Sequence, residues 1–169
     1  MNADELRALQ APLKDRYRAE PKAGLVTLKA SGALDSAGVA CKVETGKALA
    51  VAGLHPATGG SGAELCSGDM LLEALVACAG VTLKAVATSM GIDLRSGRVA
   101  AEGDIDFRGT LGVDKQAPVG FSDIRLRFEL DADAPQDKLD TLIKLTERYC
   151  VVLQTLRHSP AVETTRTRA

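Results

Sequence analysis

Residues 68–90 constrain this chain more than any other segment. The run Met70-Leu71-Leu72-Glu73-Ala74-Leu75-Val76-Ala77-Cys78-Ala79-Gly80-Val81 is apolar nearly all round. It is too long for a strand, so it reads as a helix buried in a core rather than one laid on a surface. Ser67 is the expected N-cap, Asp69 falls in the first turn, and Met90-Gly91 marks the end with glycine just past the last turn. A fold containing this helix must wrap other elements around it.

The wrapping elements are legible in the alternation of the flanking sequence. Val99, Ala101, Gly103, Ile105 and Phe107 share one strand face; Arg98, Glu102, Asp104, Asp106 and Arg108 share the other. Ile124, Leu126, Phe128 and Leu130 oppose Arg125, Arg127 and Glu129 in the same way. Both strands therefore have one wet face, as in an antiparallel sheet. Upstream, Leu25–Lys29, Val39–Glu44 and Lys47–Val51 read as a three-stranded meander with a turn at Thr45-Gly46. Residues 4–18 read as an amphipathic helix interrupted at Pro12 and closed by Pro21 and Gly24. Asp133-Ala134-Pro135-Gln136 predicts a capping box opening a helix lined by Leu139, Leu142, Ile143 and Leu145. A second helical piece covers about 150–157, and Val162–Arg168 is β-prone. The order is α+β, not alternating βαβ. With 169 residues the chain fits one domain, with residues 1–20 as a helical extension.

Several function classes are disfavoured. A net charge of −1 gives no footprint for nucleic acid. No run reaches the roughly 18 uninterrupted apolar residues of a membrane span, and the charged start has no secretory h-region. The expectation is a cytoplasmic protein whose four cysteines rest reduced. Gly59-Gly60-Ser61-Gly62 lacks the Lys-Ser/Thr of a phosphate loop and reads as a flexible loop. His55 and His158 make no ligand spacing with the cysteines, so neither metal nor cofactor is expected. There is no G-x-S-x-G elbow for a serine hydrolase.

The thiols carry the remaining chemistry. Cys41 shares a face with Val39 and Val43 and reads as packing; Cys66 precedes the long helix. Cys78 lies on the long helix with Leu71, Leu75 and Thr82, and its burial would raise its pKa unless a positive partner activates it. Cys150 stands between two helical stretches, where oriented N–H groups would favour its thiolate. The two lie 72 residues apart, so only the fold can join them.

Ser67–Gly80 resembles the first cysteine motif of the OsmC/Ohr family, the osmotically induced and organic-hydroperoxide-resistance proteins. Glu147-Arg148-Tyr149-Cys150-Val151-Val152 is similar to the second, and the likeness spans about residues 25–169. The resemblance implies an OsmC-like α+β fold: antiparallel sheets on a central cysteine-bearing helix, in an intertwined homodimer with sites at the subunit interface. It implies a thiol peroxidase in which Cys78 attacks an apolar organic hydroperoxide, Cys150 resolves the sulfenic acid as a disulfide, and an external dithiol reduces it. Asp69 takes the family's acid position, with Glu73 a second candidate. The family's activating arginine has no counterpart in residues 19–94; Arg16, Arg18, Arg148 and Arg157 are the candidates to replace it. A non-enzymatic dimer, binding an apolar or electrophilic ligand or sensing redox state through its thiols, is the rival expectation.

Overall fold

The long apolar run forms helix α2 (Ser67–Met90), and the remaining elements assemble along it. The computed structural model describes residues 2–20, 31–34, 40–44 and 49–167; for residues 9, 13, 15–18, 31–34, 40–44 and 49 it describes the backbone alone. Helix α1 (Ala3–Ala19) runs unbroken through Pro12, where an interruption was expected, and rests against α2. The segment Leu25–Lys29, the turn Thr45-Gly46 and the closing pair Pro21 and Gly24 lie outside the described residues.

Strands β1 (Ser31–Leu34), β2 (Ala40–Glu44) and β3 (Leu49–Gly53) form an antiparallel meander. A two-residue strand β4 (Leu65–Cys66) pairs parallel to β3 through Ala52–Leu65 and Gly53–Cys66. That pairing explains a one-residue correction. It holds Cys66 extended, so Cys66 rather than Ser67 is the N-cap of α2, and no side chain caps the helix. The other end follows the sequence: Gly91 closes α2 at φ 67°, a left-handed position glycine adopts without strain.

The second sheet is a hairpin of β5 (Leu94–Ile105) and β6 (Phe121–Ala132). Register pairs Val99 with Phe128, Ala101 with Leu126 and Gly103 with Ile124, so the apolar faces read from the sequence meet on the side facing α2. The strand ends earlier than its alternation suggests. The Asp106 carboxylate accepts from the Arg108 N–H at 3.0 Å and starts a helical turn, α3 (Phe107–Thr110), so Phe107 and Arg108 leave the ladder. On the wet face Arg125 bridges Asp104 across the strands and Asp123 along its own.

Helices α4 (Gln136–Tyr149) and α5 (Val151–Arg157) complete the packing. Pro135, not Asp133, occupies the N-cap of α4, and the expected capping box does not form. The core has two parts along α2. One gathers Leu83, Val86, Ala87, Ile92 and Leu142; the other gathers Leu75, Ala79, Cys150 and Leu153; Val99 and Phe128 pack against both.

Two expectations fail at the level of packing. The described tail, to residue 167, carries no strand after α5. Helix α2 is not enclosed on all sides either. By length and composition it passes for a bilayer span, with a mean hydropathy of 1.8 over its most apolar window, although charged Glu73 and Lys84 interrupt any unbroken run. Its inner stripe (Leu75, Ala79, Leu83, Val86 and Ala87) is buried, whereas Val81 is 72% exposed on another face. The hairpin and the two C-terminal helices cover one side of α2 only.

Candidate functional site

The site begins with a joint between helices. Tyr149 ends α4 and Val151 starts α5, leaving Cys150 as the C-cap of one and the N-cap of the other, in extended conformation. Its N–H donates to the Thr146 carbonyl and its own carbonyl accepts from the Gln154 N–H, each at 2.9 Å. With both backbone groups satisfied by the two helices, the side chain is fixed inward. It is fully buried among Leu75, Ala79 and Leu153. Cys78, beside the inner stripe of α2, packs against this cluster and keeps part of its surface in solvent. The burial expected of Cys78 is therefore only partial, and the junction thiol is the enclosed one.

The fold packs Cys78 against the cluster that holds Cys150, and each thiol shifts the acidity of the other. Burial works to raise the Cys78 pKa, but four donors outweigh it and hold the thiol below its ordinary 9.0: the Val152 N–H, the Cys150 thiol, the Val151 N–H and the Thr82 hydroxyl. Cys150 moves the other way. Burial pushes it up, and so do its hydrogen bond to the Cys78 sulfur and the charge there, against the lowering N–H groups of Leu153 and Val152. Helix-terminal N–H groups reach both sulfurs, as expected of Cys150, but at Cys150 burial and the neighbouring thiol outweigh them. Among the described residues no arginine or lysine contributes to the lowering of Cys78. The two shifts make Cys78 the more acidic thiol of the pair and Cys150 the less acidic.

The other candidates stand apart from the sulfurs. Asp69 is exposed in the first turn of α2, nine residues before Cys78, or roughly 13 Å along the axis at 1.5 Å per residue. Glu73 is exposed on the same helix. Arg148 lies over the Tyr149 ring, 5.8 Å from its centroid, and Arg157 pairs with Glu147 at 3.1 Å. The side chains of Arg16, Arg18 and Cys41 lie outside the described residues.

Open cavities lie among the described residues along α2 and its neighbours. One of about 360 Å³ is floored by Leu75, Leu126, Leu153 and Leu156 and rimmed by Glu147 and Arg157, so it adjoins the thiol cluster through Leu75 and Leu153. A second, about 320 Å³, lies at the start of α2 between Cys66, Asp69 and the stacked rings of His55 and Phe107. The third, about 460 Å³, lies along α2 between Asp69, Glu73 and Ala77. The glycine-rich loop is shaped rather than featureless: a Cβ on Gly60 would fall 1.7 Å from the Leu54 carbonyl oxygen.

Sequence reasoning found both thiols but missed the donors. Thr82 was visible as a neighbour of Cys78 on its helix face. The two N–H groups leave no trace in side-chain pattern, because they belong to the backbone where α5 begins. The arrangement sets a partly open, more acidic thiol beside a buried, less acidic one.

Comparison with known proteins agrees with this architecture. The family model described as OsmC-like protein matches residues 60–165. No curated protein matches the chain by sequence. Among solved structures, an OsmC-like protein from Mycoplasma pneumoniae superposes with a TM-score of 0.65 at 16% identity, covering 79% of this chain and 89% of that one. An organic hydroperoxide resistance protein OsmC from Legionella pneumophila gives 0.61 at 15%, covering 80% and 92%. The organic hydroperoxide resistance protein OhrB of Bacillus subtilis gives 0.51 at 18%, covering 80% and 94%. At these identities the superpositions show a shared fold.

Proposed function

Because the chain belongs to the OsmC-like protein family, we propose that it is a thiol peroxidase that reduces organic hydroperoxides. One observation carries the reading: a partly open thiol with lowered pKa packs beside a buried thiol with raised pKa. The names of the Legionella pneumophila and Bacillus subtilis neighbours support the substrate class.

The Cys78 thiolate attacks the terminal oxygen of ROOH. The O–O bond breaks, RO⁻ leaves and takes a proton from water, and the sulfur is oxidised to a sulfenic acid. Cys150 then loses its proton and attacks the Cys78 sulfur. A disulfide forms, and the departing hydroxide combines with that proton as water. An external dithiol reduces the disulfide by two exchange steps. The aliphatic floor of the 360 Å³ cavity favours substrates with a hydrocarbon body.

The active form in this reading is a homodimer. Its support is the uncovered apolar side of α2, where Val81 is 72% and Leu71 38% exposed, with Val151 at the start of α5 69% exposed as well. Asp69, roughly 13 Å along the helix from its own Cys78, serves a thiol in this scheme only across the subunit interface.

The test is consumption of cumene hydroperoxide by the reduced protein with a dithiol. Cys78→Ser should abolish turnover, and consumption that persists in this variant would sink the nucleophile assignment. A second reading, a thiol-bearing binder or redox sensor, is favoured by the lack of any arginine acting on Cys78 among the described residues. It predicts oxidation by one equivalent of peroxide and no further consumption in the presence of dithiol.

A further inference from the structure

The break between α4 and α5 strands a carbonyl. The last carbonyls of a helix lose their backbone partners where the helix ends. Had α4 run on, the Glu147 carbonyl would accept from the N–H four residues later, that of Val151. The extended backbone of Cys150, at ψ 105°, turns the chain before that bond can form. Among the described residues, the Val151 N–H makes no backbone hydrogen bond across the joint. The Glu147 carbonyl is taken by a side chain instead: the Gln154 amide Nε2 donates to it at 2.8 Å, in a half-buried position.

The helix that carries Gln154 places it for this. It lies one turn into α5, and its own N–H donates to the Cys150 carbonyl at 2.9 Å. Its backbone therefore holds the cap residue while its side chain holds α4. Arg157, at the end of α5, reaches the same residue from outside, with its guanidinium 3.1 Å from the Glu147 carboxylate. That pair is about half exposed on both sides and contributes little by itself. The amide bond of Gln154 is the better shielded tie. It leaves the N–H groups at the start of α5 uncommitted to α4, and those of Val151 and Val152 are among the groups that acidify Cys78.

We propose that Gln154 is a positioning residue: by occupying the Glu147 carbonyl it keeps α4 from continuing through Cys150, and so holds the first N–H groups of α5 free for the thiol cluster. For turnover this rests on the peroxidase reading; for the joint it does not.

The test uses the full-length reduced protein. It is alkylated with iodoacetamide across a pH series, modification of the Cys78 peptide is followed by mass spectrometry, and melting temperature is measured on the same samples. Gln154→Met keeps the length of the side chain and removes the donor; Gln154→Lys supplies a donor again. Without the donor, the Glu147 carbonyl competes for the Val151 N–H. In Gln154→Met the midpoint of the profile should move upward, and alkylation below it should slow about fivefold, as expected for weakening one hydrogen bond to a charged sulfur. Gln154→Lys should bring the profile back toward that of the wild type. A merely structural role would lower the melting temperature of Gln154→Met and leave its profile unchanged, and that result would overturn the proposal. Gln154→Ala repeats the test if the methionine variant fails to fold. A moved midpoint, alongside a wild-type protein that consumes no cumene hydroperoxide, would support Gln154 and overturn the peroxidase reading.

Discussion

At the scale of single residues, the unlike pKa shifts of the two cysteines have consequences for stability as well as reactivity. Cys78 titrates below 9.0 in the native protein, so its contribution is complete above 9.0 and is lost as pH falls through the lowered native value. Cys150 titrates above 9.0, so its contribution is complete below 9.0 and is lost as pH rises through the raised native value. Between the two native values the thiolate–thiol pair favours folding most. Denaturant titrations of the wild type and Cys78→Ser should diverge in favour of the wild type as pH rises toward that window. Curves that run parallel across the range would show that Cys78 keeps its ordinary acidity. Much of this was hidden in the sequence. Glu147–Val152 locates a thiol at a helix boundary, but which sulfur the N–H groups reach depends on how α5 turns against α2.

At the scale of elements, the hairpin and the long helix were the most legible parts because each satisfies one period over many residues. The alternation through Val99–Ile105 and Ile124–Leu130 meets in register, and the helix ends at Gly91 as its sequence indicates. The errors fall where a neighbour overrides a local preference. Ser67 is a good capping residue, yet β4 pairing moves the cap to Cys66. Phe107 continues the alternation, yet the Asp106 cap turns the chain away. Two substitutions probe the elements. Leu142, fully buried where α4 meets α2, should cost about 3 kcal/mol on change to alanine, seen as a lower melting temperature. Gly60→Ala should cost about 2 kcal/mol or more, because the added carbon meets backbone oxygen rather than a side chain that can turn aside.

At the scale of the molecule, α2 presents more apolar surface than the described residues cover: 28% of its most apolar window is buried. A second copy is the proposed cover, and the reduced protein should sediment at twice its 17.7 kDa. Val81→Glu, on the exposed face, should shift it to monomer while leaving the inner stripe untouched. A monomeric wild type would remove the dimer from the scheme. In the proposed scheme the unequal exposure of the two sulfurs also gives the repair of the disulfide a direction. A reductant arriving from solvent would meet the sulfur of Cys78 before that of Cys150, which shows no surface. The proposed regiochemistry of regeneration follows: the incoming thiol bonds to Cys78, and Cys150 is the leaving group. Freed from the mixed species, Cys150 withdraws into the leucine cluster that excluded the reductant in the first place.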